Sequence, residues 1–281
     1  MLLKAEYPLL LISAYDFYHN FSFSKTLINS IQRYLRRKNV LFLDSGGFES
    51  YWNNDKEWGF ERYTDVVNRV KPDLYSSFDV DAAKVIPMNS QSESFESIVR
   101  SGAILPEREY LPIFHGETPE KLVNVVKSFL KRYPTGVRYI AVAERECGFT
   151  LKERTRTISR IVKDIAENGD GQHLHLLGCG QPLSMALYSS LGVKTFDSRD
   201  WMRSTFDEEK LILRDFSHLE LLSCKCVVCK KIKDPLQKTI FHNLRAYLAH
   251  MEKIRDNLGK GTLNEMLLEN GISNDLLRAN S

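Results

Sequence analysis

Short apolar runs of strand length alternate along this chain with stretches whose apolar residues recur at helical spacing. The runs are Leu9–Ser13, Val40–Leu43, Leu74–Phe78, Leu111–Phe114, Tyr139–Val142, Leu174–Leu177 and Val193–Phe196. Between them, Leu27, Ile28, Ile31, Tyr34 and Leu35 form one helical stripe, and Phe60, Tyr63, Val66, Val67 and Val70 form another. Thr118 before Pro119 and Glu120 predicts a helix start, continued on one face by Leu122, Val125, Val126, Phe129 and Leu130. A further stripe, Ile158, Ile161, Val162 and Ile165, closes at Asn168-Gly169. Strands and helices alternating in this way predict a parallel α/β fold.

Most of these strands run into polar or glycine-rich text: Asp44-Ser45-Gly46-Gly47, Asp79-Val80-Asp81, His115-Gly116-Glu117, Glu144-Arg145-Glu146, Gly178-Cys179-Gly180 and Asp197-Ser198-Arg199-Asp200. A (β/α)8 barrel of the TIM type brings all such tips to one face, whereas a doubly wound sheet groups fewer of them around one crevice. The expectation is therefore a (β/α)8 TIM-type barrel over residues 1–205. Its first strand would be irregular, supplied by Met1–Ala5 or missing. After Asp200 the pattern changes. Leu211–Leu222 is amphipathic, and Thr239–Leu258 reads as one helix with Ile240, Leu244, Tyr247, Leu248, Met251 and Ile254 apolar. A short helix around Asn264–Leu268 and a frayed end complete a small helical subdomain, residues 206–281.

Composition narrows the class without naming it. The 281 residues are 43% hydrophobic and 27% charged, enough for a large core. A net charge of +3, from 39 basic and 36 acidic residues, is too mild to imply nucleic acid by itself. Basic character is local, in Arg33, Arg36, Arg37 and Lys38 and in Lys225, Lys230, Lys231 and Lys233, each of which also fits a solvated face. No apolar segment is long enough to span a membrane, and no signal-like start is present, so a cytoplasmic protein without membrane contact is expected.

The cysteines carry more. Cys224-x-Cys226-x-x-Cys229 in a reducing compartment points to metal, not to disulfides. Thiolates suit Zn²⁺, and four Cys/His donors with no open position make a structural site. His218, His242 and His250 are all within sequence reach as the fourth donor.

Asp44, Asp79 and Asp197 each follow an apolar strand. In Asp44-Ser45-Gly46-Gly47-Phe48 the glycines permit a sharp turn and let a flat ligand approach the main chain. Strand-end aspartates also make Asx turns or cap helices. His173 and His175 alternate at a strand start, but the sequence lacks the paired acidic ligands that a metal-dependent barrel hydrolase would need.

Taken together, the Asp44–Phe48 motif, the cysteine trio and His242 resemble the tRNA-guanine transglycosylase superfamily, enzymes that exchange a guanine in nucleic acid for a 7-deazaguanine base. The resemblance implies structural zinc held by Cys224, Cys226, Cys229 and His242, the last within Thr239-Ile240-Phe241-His242-Asn243, which is similar to the family's Thr-Ile-His-Asn phrase with one residue inserted. It further implies that Asp197, in Phe196-Asp197, attacks the sugar C1′, and that Asp44 is the general acid/base. Asp79, in Phe78-Asp79, would read the purine edge. Breaking an N-glycosidic bond through an oxocarbenium-like state needs such a nucleophile and such an acid. Ser45, Gly46, Gly47, Phe48, His115, Gly178, Arg199 and Arg203 are the remaining implied substrate contacts. Gly178 opens a stretch similar to the family's Gly-x-Gly-x-Pro, and Arg203 stands where the family carries an arginine, a phosphate clamp.

The departures touch substrate reading. His115-Gly116 replaces Gln-Gly-Gly, Glu144-Arg145-Glu146 replaces a glycine-rich loop, and Asp197 precedes Ser-Arg-Asp-Trp instead of Cys-Val-x-Pro. These differences incline the reading toward a divergent branch similar to the enzymes that place 7-deazaguanines into DNA. The alternatives are the same exchange on tRNA (a queuosine- or archaeosine-type modification) and a non-catalytic zinc-bearing nucleic-acid-binding subunit. A homodimer or an accessory protein partner is compatible with either. On any polymer the target nucleotide must leave its stack, and Tyr15, Phe48, Trp201, Arg199 and Arg203 are candidates to hold it.

Overall fold

Every apolar run expected to be a strand contains one, and these strands pair in parallel. The structure, a computed structural model, describes residues 8–21, 25–78, 91–133, 136–215 and 224–278. The chain forms two compact units, Met1–Val142 with Ile165–Gln172, and Ala143–Asp164 with His173–Ser281.

The first unit contains β1 (Leu9–Ser13), α1 (Ala14–Phe21), α2 (Lys25–Arg36), β2 (Val40–Asp44), α3 (Gly47–Trp52), α4 (Phe60–Val70), β3 (Leu74–Ser76), α5 (Gln91–Gly102), β4 (Glu109–Leu111), β5 (Ile113–Phe114), α6 (Pro119–Arg132) and β6 (Tyr139–Ala143). β1 pairs with β2 from Leu9↔Val40 to Ser13↔Asp44, β2 with β3 at Phe42↔Leu74, and β3 with β4 at Leu74↔Glu109. The expected strand Leu111–Phe114 is split at Pro112. Proline has no N–H for the ladder, although its carbonyl still accepts from the Ala141 amide at 2.8 Å. The helical stripes bury as their spacing predicts: Ile31, Tyr63, Val66, Val67 and Val70 are fully enclosed against Leu41, Leu43 and Tyr75. The Tyr63 hydroxyl donates to the Ser76 carbonyl at 2.5 Å and that of Tyr75 to the Ser101 carbonyl at 3.1 Å, so these large rings are buried without orphaned polar atoms.

The second unit holds a 3₁₀ turn at Glu144–Cys147, most of α7 (Leu151–Asn168, to Asp164), β7 (His173–Leu177), α8 (Pro182–Ser190), β8 (Thr195–Phe196), α9 (Asp200–Arg203), β9 (Ser204–Asp207), β10 (Ile212–Asp215), α10 (Val227–Lys231), α11 (Pro235–Lys260), α12 (Leu263–Glu269) and α13 (Asn274–Arg278). β7 and β8 are parallel, with His175↔Thr195 and Leu176↔Phe196. β9 and β10 form an antiparallel hairpin that the apolar pattern alone does not announce. Its turn is made by Asp207, whose Oδ1 accepts from the Glu209 and Lys210 amides, both at 3.2 Å. Residues 216–222 of the amphipathic stretch lie outside the described residues. Helix α11 begins at Pro235, ahead of the expected Thr239. Asp234 caps it, with Oδ1 accepting from the Gln237 amide at 2.8 Å, and Pro235 presets the first turn.

The fold is thus α/β with parallel sheets. Among the described residues no barrel closes, and the segment expected to supply a further strand, Met1–Ala5, lies outside them. No helix among the described residues is long and apolar enough to cross a membrane.

Thr118 caps α6, its Oγ1 accepting from the Lys121 amide at 3.3 Å. Thr118→Ala is expected to cost about 1 kcal/mol. Urea unfolding should show a lower midpoint with an unchanged slope.

Candidate active site and metal centre

Asp44 ends β2, half-buried, and its Oδ2 accepts from the Gly46 amide at 3.1 Å. Gly46 has φ +79, and a Cβ there would lie 2.3 Å from Tyr15 Cβ and 2.7 Å from Tyr15 N. The turn therefore needs glycine on two counts, backbone conformation and contact with α1. Buried Ser45 is fixed by both its ends: its carbonyl accepts from Trp58 Nε1 at 3.1 Å and its Oγ from the Gly47 amide at 3.2 Å. Tyr15 is buried beneath this turn, edge-on to Trp58 at 5.4 Å. Burial, and then Asp55, push its hydroxyl pKa up. Phe48 emerges on the exposed side of α3, where Trp52 lies 6.0 Å away and packs in turn on Tyr51.

Two further strand exits in this unit carry expected contacts. Phe78 is buried, stacked on Tyr63 at 5.3 Å, and its amide donates to Ser101 Oγ at 2.9 Å. The chain is held up to that point; Asp79 itself lies outside the described residues. His115 follows β5 and is half-buried.

In the second unit the tip of β7 meets the tip of β8. Asp197 receives the Gly178 amide on Oδ1 at 3.0 Å, and its own amide donates to the Leu176 carbonyl at 3.2 Å. Gly178 is left-handed, with φ +73, and exposed, so its N–H is turned out of the strand toward the carboxylate. Gly180 is closed in: a Cβ there would lie 2.4 Å from both Ser198 Oγ and Asp200 Oδ2. His175 Nε2 lies 3.4 Å from Asp197 Oδ1, and its Nδ1 is 2.8 Å from Thr195 Oγ1. Nearby, Glu144 Oε1 accepts from the Tyr188 hydroxyl at 3.0 Å and from Arg154 Nη1 at 3.1 Å, and Arg154 Nε donates to the Gly148 carbonyl at 2.9 Å. Burial, then Glu144 and Asp197, push the Cys179 thiol pKa well up, which keeps it protonated and unreactive. Arg199 and Arg203 flank this tip at either end of α9, both exposed.

The cysteines converge on His242. Its Nδ1 lies 3.6 Å from Cys224 Sγ, 3.7 Å from Cys226 Sγ and 3.5 Å from Cys229 Sγ, and the donor atoms all fall within 4.8 Å of one another. His242 Nε2 is 2.8 Å from the Phe206 carbonyl, which can only accept. Nε2 therefore carries the hydrogen, and Nδ1 turns its lone pair toward the thiols. Burial opposes ionisation of Cys226, but His242 and the Cys229 amide bring its thiol down to about 6. Four convergent donors, one already oriented from behind, could hold a metal ion. Of the other histidines within sequence reach, His250 is occupied elsewhere, its Nε2 donating to the Pro182 carbonyl at 2.9 Å, and His218 lies outside the described residues. His173 and His175 join no cluster of three or more metal-donor side chains among the described residues.

Helix α11 connects this centre to the Asp197 tip. One residue beyond His242, Asn243 accepts from the Phe206 amide at 2.9 Å and donates to the Trp201 and Ser204 carbonyls at 2.8 and 2.6 Å. Tyr247 donates to the Gly180 carbonyl at 2.6 Å. Burial holds the His250 imidazole below its ordinary pKa, so it is neutral when it donates to Pro182. By sequence Tyr247 counts only as part of the apolar face and His250 only as a possible metal donor, and neither tie to the Gly180–Pro182 loop is foreseen. Asn243, Tyr247 and His250 recur at i, i+4 and i+7, and that spacing of polar groups on a core face was the available signal.

No family model matches the chain. The tRNA-guanine(15) transglycosylase of Methanothermobacter thermautotrophicus is 22% identical over 280 residues, covering 93% of this chain and 42% of the relative. That of Methanococcus maripaludis is 23% identical over 261 residues, covering 83% and 39%. That of Haloferax volcanii reaches 31%, over 109 residues covering 34% and 21%. Over most of its length, and at low identity, the chain is similar to curated tRNA-guanine(15) transglycosylases. It spans about two-fifths of the length of the first two curated relatives, at 42% and 39%.

The Asp44–Phe48 turn tolerates little change at Gly46. Gly46→Ala should destabilise the protein by more than the roughly 1–2 kcal/mol that a left-handed backbone costs an L-residue, because the added methyl also meets Tyr15 backbone. Thermal melting checks this; a melting temperature within a degree of the parent would contradict the packing described.

Proposed function

We propose that the chain is a guanine transglycosylase acting on nucleic acid, replacing a guanine with a 7-deazaguanine base by way of a covalent bond to Asp197. The carboxylate attacks C1′ as the C1′–N9 bond breaks, and the departing base takes a proton at N9. The incoming base then loses its N9 proton and attacks C1′, and the carboxylate leaves. Asp44 is the proposed proton carrier in both halves. Asp79 is the proposed acceptor for N1–H and the exocyclic amine, with Ser45, Gly46, Gly47, Phe48 and His115 as base contacts. Arg199 and Arg203 would meet phosphates.

The observation that carries this reading is the hold on Asp197. A partly exposed carboxylate is anchored through one oxygen by the backbone of the adjacent strand tip, as a nucleophile that must meet a sugar carbon at fixed distance requires. The names of the relatives support the reaction class. Their polymer does not carry over, since less than half of each is matched. The proposed polymer is DNA, on the ground of the departures at His115-Gly116 and Glu144–Glu146; Glu144 is engaged by Arg154 and Tyr188 where the family has a glycine-rich loop.

The proposed occupant of the cysteine–histidine centre is structural Zn²⁺. The donor set and the orientation of His242 by Phe206 fit it. Zinc there would hold the start of α11 to α10, with no open position for chemistry.

Two measurements test the proposal. Denaturing the protein during incubation with labelled polymer and free guanine should trap a covalent adduct on the parent chain. Asp197→Asn should yield none and lose exchange by at least about 10³-fold, because a neutral amide cannot trap the sugar cation. Running DNA and tRNA side by side identifies the polymer, and an undiminished adduct on Asp197→Asn would overturn the nucleophile. Separately, elemental analysis should find about one zinc per chain. Cys226→Ala should lose it together with thermal stability; metal-free protein with unchanged melting would remove zinc from the reading.

A further inference from the structure

We propose that His175 is a positioning residue for Asp197, holding Oδ1 of the carboxylate so that Oδ2 is the oxygen that meets the sugar. The proposal rests on Asp197 being the nucleophile and adds a residue to that site.

Sheet register brings the groups together. His175 lies opposite Thr195 in the β7–β8 pair. Side chains alternate faces along a strand, so Thr195 and Asp197, two residues apart, share the face that His175 occupies. His175 is nearly enclosed, with 8% of its side chain exposed, whereas Asp197 keeps 26%. The imidazole is thus the buried end of the arrangement and the carboxylate the end that reaches solvent.

Hydrogen-bond logic fixes the tautomer. The Thr195 hydroxyl, 2.8 Å from Nδ1, can donate or accept, but a carboxylate can only accept. With the hydrogen on Nε2, Thr195 donates to Nδ1 and Nε2–H points at Asp197. With the hydrogen on Nδ1, two lone pairs face each other across the 3.4 Å separation. The first arrangement satisfies Nδ1 and aims Nε2–H at the carboxylate. That separation is longer than a formed hydrogen bond, as catalytic contacts commonly are before substrate is bound. Oδ1 already accepts the Gly178 amide at 3.0 Å, so the amide and Nε2–H face the same oxygen.

This geometry has a direction in the chemistry. When Oδ2 bonds to C1′, Oδ1 becomes the carbonyl oxygen of a neutral ester. When that bond breaks for the incoming base, negative charge returns to the carboxylate and is met at Oδ1 by donors already in place. His175 therefore favours the carboxylate over the ester and speeds its departure.

The test uses His175→Phe and His175→Gln in the full chain, with zinc content and melting temperature recorded for each. His175→Phe should lower turnover about ten- to a hundredfold, with KM for polymer and base unchanged. The fraction of enzyme trapped as adduct should rise, because the ester now outlasts its formation. His175→Gln, which keeps an N–H near the same place, should restore most of the rate. Unchanged turnover, or turnover and adduct falling in proportion in a variant that melts like the parent, would overturn the proposal. Failure of the underlying nucleophile assignment looks different, as an adduct that survives Asp197→Asn. Should His175→Phe not fold, ¹⁵N spectra of the parent chain decide. A His175 resonance protonated at Nε2 and shifted by Asp197→Asn supports the contact, and one protonated at Nδ1 overturns it.

Discussion

Polar backbone atoms taken out of water must find partners, and in the second unit one helix supplies many of them. From a single side of α11, His242 takes the Phe206 carbonyl, Asn243 takes the Phe206 amide and the Trp201 and Ser204 carbonyls, Tyr247 takes the Gly180 carbonyl, and His250 takes that of Pro182. Each such group left unmatched would cost about 1–3 kcal/mol. The non-ladder backbone around Asp197 keeps its shape because α11 satisfies it. The same helix contributes His242 to the cysteine cluster, near the N-terminal end of the element on which that loop depends.

The two strand tips with candidate aspartates solve a common problem differently. At Asp44 the chain turns through a left-handed glycine pressed against Tyr15, and the carboxylate receives an amide from its own turn. At Asp197 the carboxylate receives its amide from the neighbouring strand, at Gly178. The first arrangement is local and survives as long as the turn does. The second depends on parallel pairing of β7 with β8, and so on everything that holds the Gly178–Pro182 loop in place.

The environment around the second tip holds the buried groups there in their protonated form. Cys179 is enclosed beside carboxylates that hold its proton on. Tyr188 is likewise kept protonated, by burial and by Glu144, and therefore donates to that carboxylate. Asp197, by contrast, has a fixed oxygen and keeps 26% of its side chain exposed.

Much of the fold was legible because its signals are local. Apolar runs of strand length, stripes at helical spacing and the Thr118-Pro119 start depend on residues near in sequence, and burial of Tyr63, Val66 and Ile31 follows from them. The cysteine trio and the Asp44–Phe48 turn were legible for the same reason, as short spacings with few physical solutions. The break at Pro112 and the start of α11 at Asp234-Pro235 were written in the sequence too, in residues whose backbone chemistry is fixed. What tertiary structure decided were the choices among equivalent side chains. Three histidines stood within reach of the cysteines, and only packing turned His242 toward them while committing His250 to Pro182. The β9–β10 hairpin, the ties from Asn243 and Tyr247, and the approach of His175 to Asp197 join residues distant in sequence. A hydrogen bond depends on distance and direction in space, and a one-dimensional pattern carries neither until the strands have paired and the helix has docked.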